Sequence, residues 1–331
     1  SVKHKKTFDY IFNKTEAITL EQSKLTLSKD ITVLSFSDSS MVDRNSSIIK
    51  VDSGWIVYSK NSESSILSFT SDGQFSGYIG HRGNGPGEYT SVYDVVVNQK
   101  SKVLEVLSDG GIFCYTFGGD FLDKKEVTYP AFSFAIDDRQ NYWFYVGNNT
   151  TYGDAKMICT DENIANVAYY LHQKSNMLPM VENNFGRNGE WLTFHESLNH
   201  DLYTIENGKL DLSYAMDFPN YKLPKKLHEL SGMEVIEELQ RSNYASIINY
   251  PENHDYIFLN VLLNNEGERI PEVYYWIISK NLQEEVIIKI DGWNFCRILF
   301  CLILSICLMI INYIVWGIYG KIRIWNPLRK I

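Results

Sequence analysis

Residues 111–121, GIFCYTFGGDF, indicate the fold because three other segments of the chain repeat their pattern. The segments SILSFTSDGQF (65–75), DAKMICTDENI (154–164) and HDLYTIENGKL (200–210) align with them without gaps. Each combines a short alternating strand, a turn rich in Gly, Asn or Asp, and an apolar residue that begins the next strand. The last residues of successive segments are 43 to 46 positions apart, which indicates a repeated structural unit.

Further predicted strands lie upstream of every repeat. They cover residues 54–59, 102–108, 141–147 and 190–196, preceded in three units by 47–53, 93–99 and 132–138. A fifth unit has predicted strands at 245–250, 256–263, 273–279 and 284–290. Units of three or four antiparallel strands at this period are typical of β-propeller blades. We therefore predict an all-β propeller over residues 31–291, with its axis lined by the first strand of each blade.

The composition suits a strand-rich chain and disfavours a nucleic-acid partner. The 331 residues are 44% hydrophobic and 14% aromatic, and their formal net charge is −9. A nucleic-acid partner would require a basic surface instead. Of the five cysteines, Cys114 and Cys159 fall inside predicted strands. We expect these two to be buried thiols rather than a disulfide.

One segment departs from the strand pattern. The stretch LPKKLHELSGMEVIEELQRS (223–242) places apolar residues at helical spacing from Leu227 to Leu239. We predict an amphipathic helix inserted between the fourth and fifth blades. Packing on the propeller rim is favoured over a partner-binding role for this helix.

The carboxyl-terminal region contains a hydrophobic run. Residues 298–320 carry no charge and are numerous enough to cross a bilayer as a helix. Basic residues follow, so we predict a transmembrane helix, a basic cytoplasmic tail at 321–331 and a propeller on the other side. The alternatives to a transmembrane helix are that this run forms a buried pair of strands, or that it is an altered end of the chain.

The amino-terminal residues 1–30 are predicted to be an extension that precedes the propeller. Their first ten residues, SVKHKKTFDY, contain no apolar signal region and do not begin with Met. Removal of a signal peptide would explain this start, and so would trimming of the chain.

The segment IGHRGNGPGEYTSVYDVVV (79–97), which follows SFTSDGQFSGY (68–78), resembles a signature of known proteins. It is similar to the junction between the first two blades of six-bladed β-propeller proteins abundant in Bacteroidetes. These proteins are related in fold to NHL-repeat and TolB-like propellers. The resemblance covers about residues 30 to 290 and implies a lipoprotein-like protein of the cell envelope. Five blades are clear before Ile290, and the expected sixth is incomplete or atypical. Residues 31–37 are interpreted as the amino-terminal contribution to ring closure.

The glycine-rich loop Gly80–Tyr89 is predicted to be an ordered crossover between the first two blades. It lacks the Lys and Ser or Thr of a phosphate-binding loop, and a predicted strand follows where a dinucleotide site requires a helix. We assign it a structural role, with Arg82 or Glu88 bonded to each other or to backbone. The structural positions are Gly80, Gly83, Gly85, Pro86 and Gly87. The candidate ligand-binding residues are His81, Arg82, Asn84, Glu88 and Tyr89.

No sequence pattern predicts a catalytic residue, a metal site or a cofactor. His195 and His200 are five positions apart and would point to opposite faces of a strand, unlike the helical pair of a zinc protease. The acidic residues at blade turns are typical of backbone capping.

Three function classes remain open. We favour a non-enzymatic binding or scaffold module of the cell envelope, attached to the membrane through residues 298–320, whose partner is a glycan, peptide or protein. The alternative is a hydrolase or lyase with a metal at the central channel, which requires several converging carboxylates or histidines. The third class, a sensor ectodomain, is weakest because only eleven residues follow the hydrophobic run.

Overall fold

The computed structural model describes residues 8–23, 32–35, 46–60, 65–149, 153–172, 183–188, 191–281 and 284–290. The predicted transmembrane helix (298–320) and basic tail (321–331) lie outside these residues. Within them, no helix combines the length and the apolar character needed to cross a bilayer.

The described strands form five large sheets, each built from four consecutive strands in antiparallel order. A first strand, β1 (Phe8–Ile11), precedes these sheets. Blade 1 contains β2 (Ser47–Val51), β3 (Gly54–Tyr58), β4 (Leu67–Thr70) and β5 (Phe75–Tyr78). The short strands β6 (His81–Arg82) and β7 (Glu88–Tyr89) follow. Blade 2 contains β8 (Asp94–Asn98), β9 (Val103–Ser108), β10 (Gly111–Tyr115) and β11 (Phe121–Lys125).

The remaining blades repeat this order. Blade 3 contains β12 (Ser133–Ile136), β13 (Tyr142–Tyr145), β14 (Met157–Thr160) and β15 (Ala168–Tyr170). Blade 4 contains β16 (Phe185–Asn188), β17 (Trp191–Phe194), β18 (Asp201–Glu206) and β19 (Lys209–Asp217). Blade 5 contains β20 (Tyr244–Asn249), β21 (Tyr256–Asn264), β22 (Glu272–Ser279) and β23 (Glu285–Ile290).

Neighbouring blades pack face to face through separate apolar cores. Ile56 of blade 1 shares a core with Val95 of blade 2. Equivalent cores join blades 2 and 3, blades 3 and 4, and blades 4 and 5. The sheets of blades 2, 3 and 4 are therefore buried on both faces, and the second face of blade 1 has its own cluster around Trp55, which explains the continuous apolar character of strands such as β3 and β10. The architecture is a β-propeller, as predicted.

The blade count corrects one expectation. The structure shows five blades within the described residues, where the family resemblance implies six. The repeat units predicted from the sequence coincide with these five blades. The strand β16, which begins blade 4, is absent from the predicted set. Its Phe185-Gly-Arg-Asn sequence has no apolar alternation and contains a glycine, so it carries little strand signal of its own.

The amino-terminal segment (residues 8–18) is part of the propeller rather than an extension from it. The strand β1 pairs in parallel with the outer strand β19 of blade 4. Ile18 then bridges to Ile288 on the outer strand of blade 5. Phe12 is buried between these contacts and packs against Trp276. The segment thus ties the outer edges of two adjacent blades together and covers the edge of β19, which would otherwise expose unpaired backbone groups.

A second amino-terminal piece, residues 32–35, lies on blade 1. The Ser35 amide donates to the Gly73 carbonyl at 2.8 Å, and Leu34 is buried against Trp55 and Phe69. The sequence interpretation of residues 31–37 as the amino-terminal contribution to ring closure is not supported by these contacts. The described part instead lies against the outer hairpin of the first blade.

The inserted helical region lies between blades 4 and 5, as predicted, but it is not one continuous helix. A 3₁₀ turn at Lys225–His228 is followed by the helix α1 (Met233–Gln240). Gly232 separates them with a φ of 53°, a left-handed conformation that ends any regular helix. The helix buries Val235, while Ile236 is 39% exposed. The apolar stripe is therefore only partly used for packing.

Cys114 and Cys159 are buried free thiols, as predicted. They lie in the third strands of blades 2 and 3, where they contribute to two different inter-blade cores. Burial raises the pKa of each thiol to about 12, so neither is a reactive thiolate at neutral pH.

Candidate functional site

The crossover loop (Gly80–Tyr89) is ordered and closes on itself. Its two ends pair as the parallel strands β6 and β7, with His81 opposite Glu88 and Arg82 opposite Tyr89. Gly87 has a φ of +75°, whereas the φ of Gly85 is not positive. Of these two glycines, Gly87 alone has the left-handed backbone conformation that favours glycine.

The charged side chains of the crossover loop bond to nearby backbone, in the loop and at Thr90 directly after it. Arg82 Nε donates to the Thr90 carbonyl at 2.8 Å. The Glu88 carboxylate accepts from the Gly85 amide at 2.8 Å. Both contacts confirm the prediction that Arg82 or Glu88 bonds to neighbouring backbone. They give these two residues a structural role whether or not the loop also binds a ligand.

The candidate ligand residues of the loop differ in exposure. His81, Arg82 and Asn84 are exposed, and Glu88 is half-buried. Tyr89 is fully buried between blades 1 and 2, and its hydroxyl donates to the Ile79 carbonyl and accepts from the Ile66 amide, both at 3.2 Å. This burial removes Tyr89 from the residues able to contact a ligand. The ligand role of the exposed residues stays a prediction.

A different region, the axial cavity, has the geometry of a binding site. It encloses about 640 Å³ and is lined by residues from all five blades. The innermost strands supply Ile48, Val96, Phe134, Phe185 and Asn249. This placement confirms that the first strand of each blade lines the axis. Among the described lining residues, none belongs to the crossover loop.

One carboxylate lines the described part of the axial cavity, and the fold already uses it. Asp94 forms an ion pair with Lys60 at 3.0 Å, and both side chains are less than one-tenth exposed. Its second oxygen accepts from the Phe134 amide of blade 3 at 3.1 Å. The Tyr58 hydroxyl donates to Oδ1, the oxygen that pairs with Lys60, at 3.5 Å. Asp94 thus links the inner strands of blades 2 and 3 to Lys60 of blade 1. Both of its oxygens are engaged in these structural contacts, so it is not available as a catalytic base.

Two cations of the axial cavity have no such partner. Arg187 of β16 and Lys50 of β2 form no ion pair with any described residue. Lys50 lies over the Trp55 ring at 5.2 Å and is otherwise exposed. Arg187 is half-buried, and burial lowers the pKa of its guanidinium despite the opposing fields of Asp137 and Asp138. The cavity therefore has a local positive charge in an acidic protein.

The neutral polar groups of the axial cavity are three side-chain amides. Gln99, Asn183 and Asn249 line it, and their amide groups make no hydrogen bond to another described residue. An amide offers both donors and an acceptor. These groups are therefore available to a ligand with hydroxyl or amide groups.

The buried acids outside the cavity have structural partners. Glu196 pairs with Lys156 at 3.0 Å and accepts from Tyr145, while Glu105 accepts from Tyr142 and Asn98. No group of three or more metal-ligating side chains occurs among the residues that the structure describes. His195 is buried, and its burial lowers its pKa to about 4.

The sequence did not single out Arg187, Lys50 or the three amides as site residues. They lie on different strands, up to 199 residues apart between Lys50 and Asn249, and match no local motif. The repeat could have located β16, because the first strand of the next blade is expected about one repeat period after residues 132–138. A lone arginine in such a strand is unusual, since the other first strands are rich in Val, Ile and Ala.

A family model described as a domain of unknown function, DUF4934, matches residues 7–296, and the chain belongs to this family. The fold is similar to that of a protein from Bacteroides fragilis NCTC 9343 proposed to be exported. That protein is 16% identical, with a TM-score of 0.68 over 94% of this chain and 85% of the other. A DUF4221 member from Bacteroides vulgatus ATCC 8482 is 12% identical, with a TM-score of 0.53 over 81% and 87%. No curated protein matches significantly. The relationship to NHL-repeat and TolB-like propellers stays a prediction.

Proposed function

We propose that this member of the DUF4934 family is a non-catalytic binding module of the cell envelope. Its ligand, a glycan or a short peptide of a partner protein, is held in the axial cavity. The observation that carries this proposal is the cavity itself, about 640 Å³ lined by all five blades. Ligand sites are typically concave, of 300–1,000 Å³, and mostly apolar with a few polar groups, as this one is.

The polar groups of the axial cavity favour binding over catalysis. A channel-centred hydrolase would require several carboxylates or histidines that converge on a metal or a water. Among the described lining residues Asp94 is the only carboxylate, and Lys60 and Phe134 already occupy its oxygens. The unengaged groups are cations and amides, which recognise a ligand without transferring its protons.

The proposed location is the non-cytoplasmic side of the membrane. The similar protein from Bacteroides fragilis is proposed to be exported, which supports export of this chain. We further propose that residues 298–320 attach the propeller to the membrane. Fractionation of cells, followed by protease treatment of intact spheroplasts, tests both points. Recovery of a protease-protected propeller in the cytosol would contradict them.

The binding proposal is tested with the full-length chain in mild detergent. Calorimetric titration with a panel of neutral and acidic mono- and disaccharides and of short peptides is expected to find at least one ligand. Replacement of half-buried Val96 by Trp fills the cavity and is expected to abolish binding. Asn84→Trp, in the exposed crossover loop, is the matched control and leaves binding unchanged.

Two results would contradict the binding proposal. Binding that survives Val96→Trp and is lost in Asn84→Trp would move the site to the crossover loop. Turnover of a panel member, with products detected by mass spectrometry, would replace the binding module by an enzyme.

A further inference from the structure

Arg187 occupies an unusual position for an arginine. It is the third residue of the innermost strand of blade 4 and lies on the same face of that strand as Phe185, two residues earlier. Both side chains line the axial cavity. Phe185 also packs against Phe194, with ring centroids 5.3 Å apart. An arginine and a packed phenylalanine therefore share one face of this strand at the axial cavity.

Asp137 and Asp138 are the acids whose electric field acts on Arg187, but neither forms an ion pair with it. The Asp137 carboxylate accepts from the amides of Arg139 and Asn141, from the Asn141 side chain and from the Trp143 indole, at 2.8–3.0 Å. These four donors occupy both oxygens. Asp138 is exposed and forms no ion pair with Arg187.

A partly buried guanidinium without a partner is unfavourable for folding, because its desolvation is not repaid by hydrogen bonds. Its five N–H donors form a planar fork that matches a carboxylate in a bidentate geometry. No described residue forms an ion pair or a hydrogen bond with the Arg187 guanidinium, whereas a ligand carboxylate would satisfy its donors.

We propose that the axial cavity recognises a uronic acid residue of a small glycan, with the sugar carboxylate bound by Arg187. This inference rests on the proposed binding function and specifies its ligand. Lys50 adds positive charge to the same cavity. Gln99, Asn183 and Asn249 present unengaged amides, which can donate to and accept from the sugar hydroxyls. The apolar side chains of Ile48, Val96 and Phe185 face the sugar ring.

The positive charge of the cavity lining favours a sugar acid over a metal-bound or a neutral substrate. Asp94 is matched by Lys60, so Arg187 and Lys50 leave the described lining with an excess of positive charge. A volume of about 640 Å³ accommodates one or two sugar units.

The test measures affinity of the full-length chain for D-galacturonic acid and its disaccharide, with D-galactose as the neutral analogue. The Arg187→Gln variant is expected to bind the uronates at least tenfold more weakly and galactose unchanged. Arg187→Lys keeps the charge without the fork and is expected to be intermediate. Arg241→Gln, an exposed arginine next to α1, is the matched control and keeps the wild-type affinity. The unfolding midpoint of each variant verifies that it is folded.

The outcomes separate this inference from the function on which it rests. Uronate binding that depends on Arg187 supports the inference. Equal binding of uronates by wild type and Arg187→Gln overturns it, and so does binding of galactose alone, although both leave the binding module intact. Arg187-dependent binding of a peptide ending in glutamate, without uronate binding, also overturns the sugar acid. Absence of binding to any panel member contradicts the proposed function itself.

Discussion

The crossover loop and the axial cavity differ both in how far a local sequence pattern marks them and in how far their polar groups are bonded. The crossover loop has a conspicuous local sequence, with four glycines, a proline and several polar side chains within ten residues. The Arg82, Glu88 and Tyr89 side chains all bond to backbone groups, and the Gly87 carbonyl accepts from the Tyr115 hydroxyl at 2.9 Å. The axial cavity has no local sequence pattern, yet its Arg187 and three of its side-chain amides make no hydrogen bond or ion pair with a described residue.

This difference shows that a dense motif can serve the fold while a scattered set of residues provides the candidate site. A crossover that passes from the outer strand of one blade to the inner strand of the next needs special backbone conformations, and glycine supplies them. A cavity on the axis needs only one or two side chains from each blade. We therefore expect substitutions in the crossover loop to change stability, and substitutions in the axial cavity to change binding.

The largest expected effect is that of Gly87→Val. A side chain at this position requires a strained backbone, because φ is +75°, and its Cβ would lie 2.6 Å from the Phe121 ring. Strain and overpacking together are expected to cost about 4 kcal/mol of unfolding free energy. Gly85→Val is the control, since Gly85 lacks a positive φ and the atoms nearest to its Cβ, at 3.0 Å or more, are those of the Glu88 carboxylate rather than of a buried ring. Urea unfolding of both variants measures the difference, and equal losses would remove the structural role assigned to Gly87.

The second effect concerns acid stability and the wall of the axial cavity. His195 packs edge-on against Tyr250, a lining residue, and burial lowers its pKa to about 4 from an ordinary value of 6.5. The folded state therefore keeps His195 neutral while the unfolded chain takes up a proton below pH 6.5. Stability attributable to this residue is complete above pH 6.5 and is lost as the pH falls towards 4, by about 3 kcal/mol.

Chemical unfolding between pH 7.5 and 4.5 measures this loss in the wild type and in His195→Asn. The variant is expected to show a flatter pH dependence, although it is less stable at neutral pH. His81→Gln is the control, because His81 is exposed in the crossover loop. An unchanged pH profile in His195→Asn would contradict the prediction.

A smaller effect is expected for Tyr89→Phe in the crossover loop. The substitution keeps the buried ring but removes the hydroxyl that bonds Ile79 and Ile66. Two buried backbone groups lose their partner, which is expected to cost about 1–2 kcal/mol. Tyr78→Phe serves for comparison, since the Tyr78 hydroxyl makes no hydrogen bond among the described residues. Thermal and urea unfolding report the cost, and a neutral Tyr89→Phe would show that water replaces the hydroxyl.

The smallest effect on stability is expected for Arg187→Gln in the axial cavity. Arg187 forms no ion pair with a described residue, and burial disfavours its charge. Its removal is expected to change the unfolding free energy by less than about 0.5 kcal/mol, or to stabilise the protein slightly. The same variant is expected to lose uronate binding. A large loss of stability would mean that Arg187 stabilises the fold. It would contradict the expectation that substitutions in the axial cavity change binding rather than stability.

The blades were predictable because each repeats a local pattern. Alternating apolar residues and turns such as Asn207-Gly208, both at positive φ, define a hairpin without information from the rest of the chain. The strand β1 was not predictable in this way. It lies outside the repeat and pairs in parallel with residues more than 200 positions away, so only the finished edge of blade 4 gives it a partner. The break at Gly232 was visible in the sequence but was outweighed by the helical spacing around it.

The sequence alone determined the all-β class, the propeller architecture and the role of the glycine-rich crossover, because strand alternation and turn chemistry act between residues close in the chain. The tertiary structure alone decided which side chains face the axis. That choice depends on the register and twist of five separate strands, and no local pattern records it. Arg187 is a polar residue in a short, weak strand until blades 3 and 4 pack together. Their packing places it in the axial cavity, on the same strand face as Phe185 and without an ion pair to any described carboxylate.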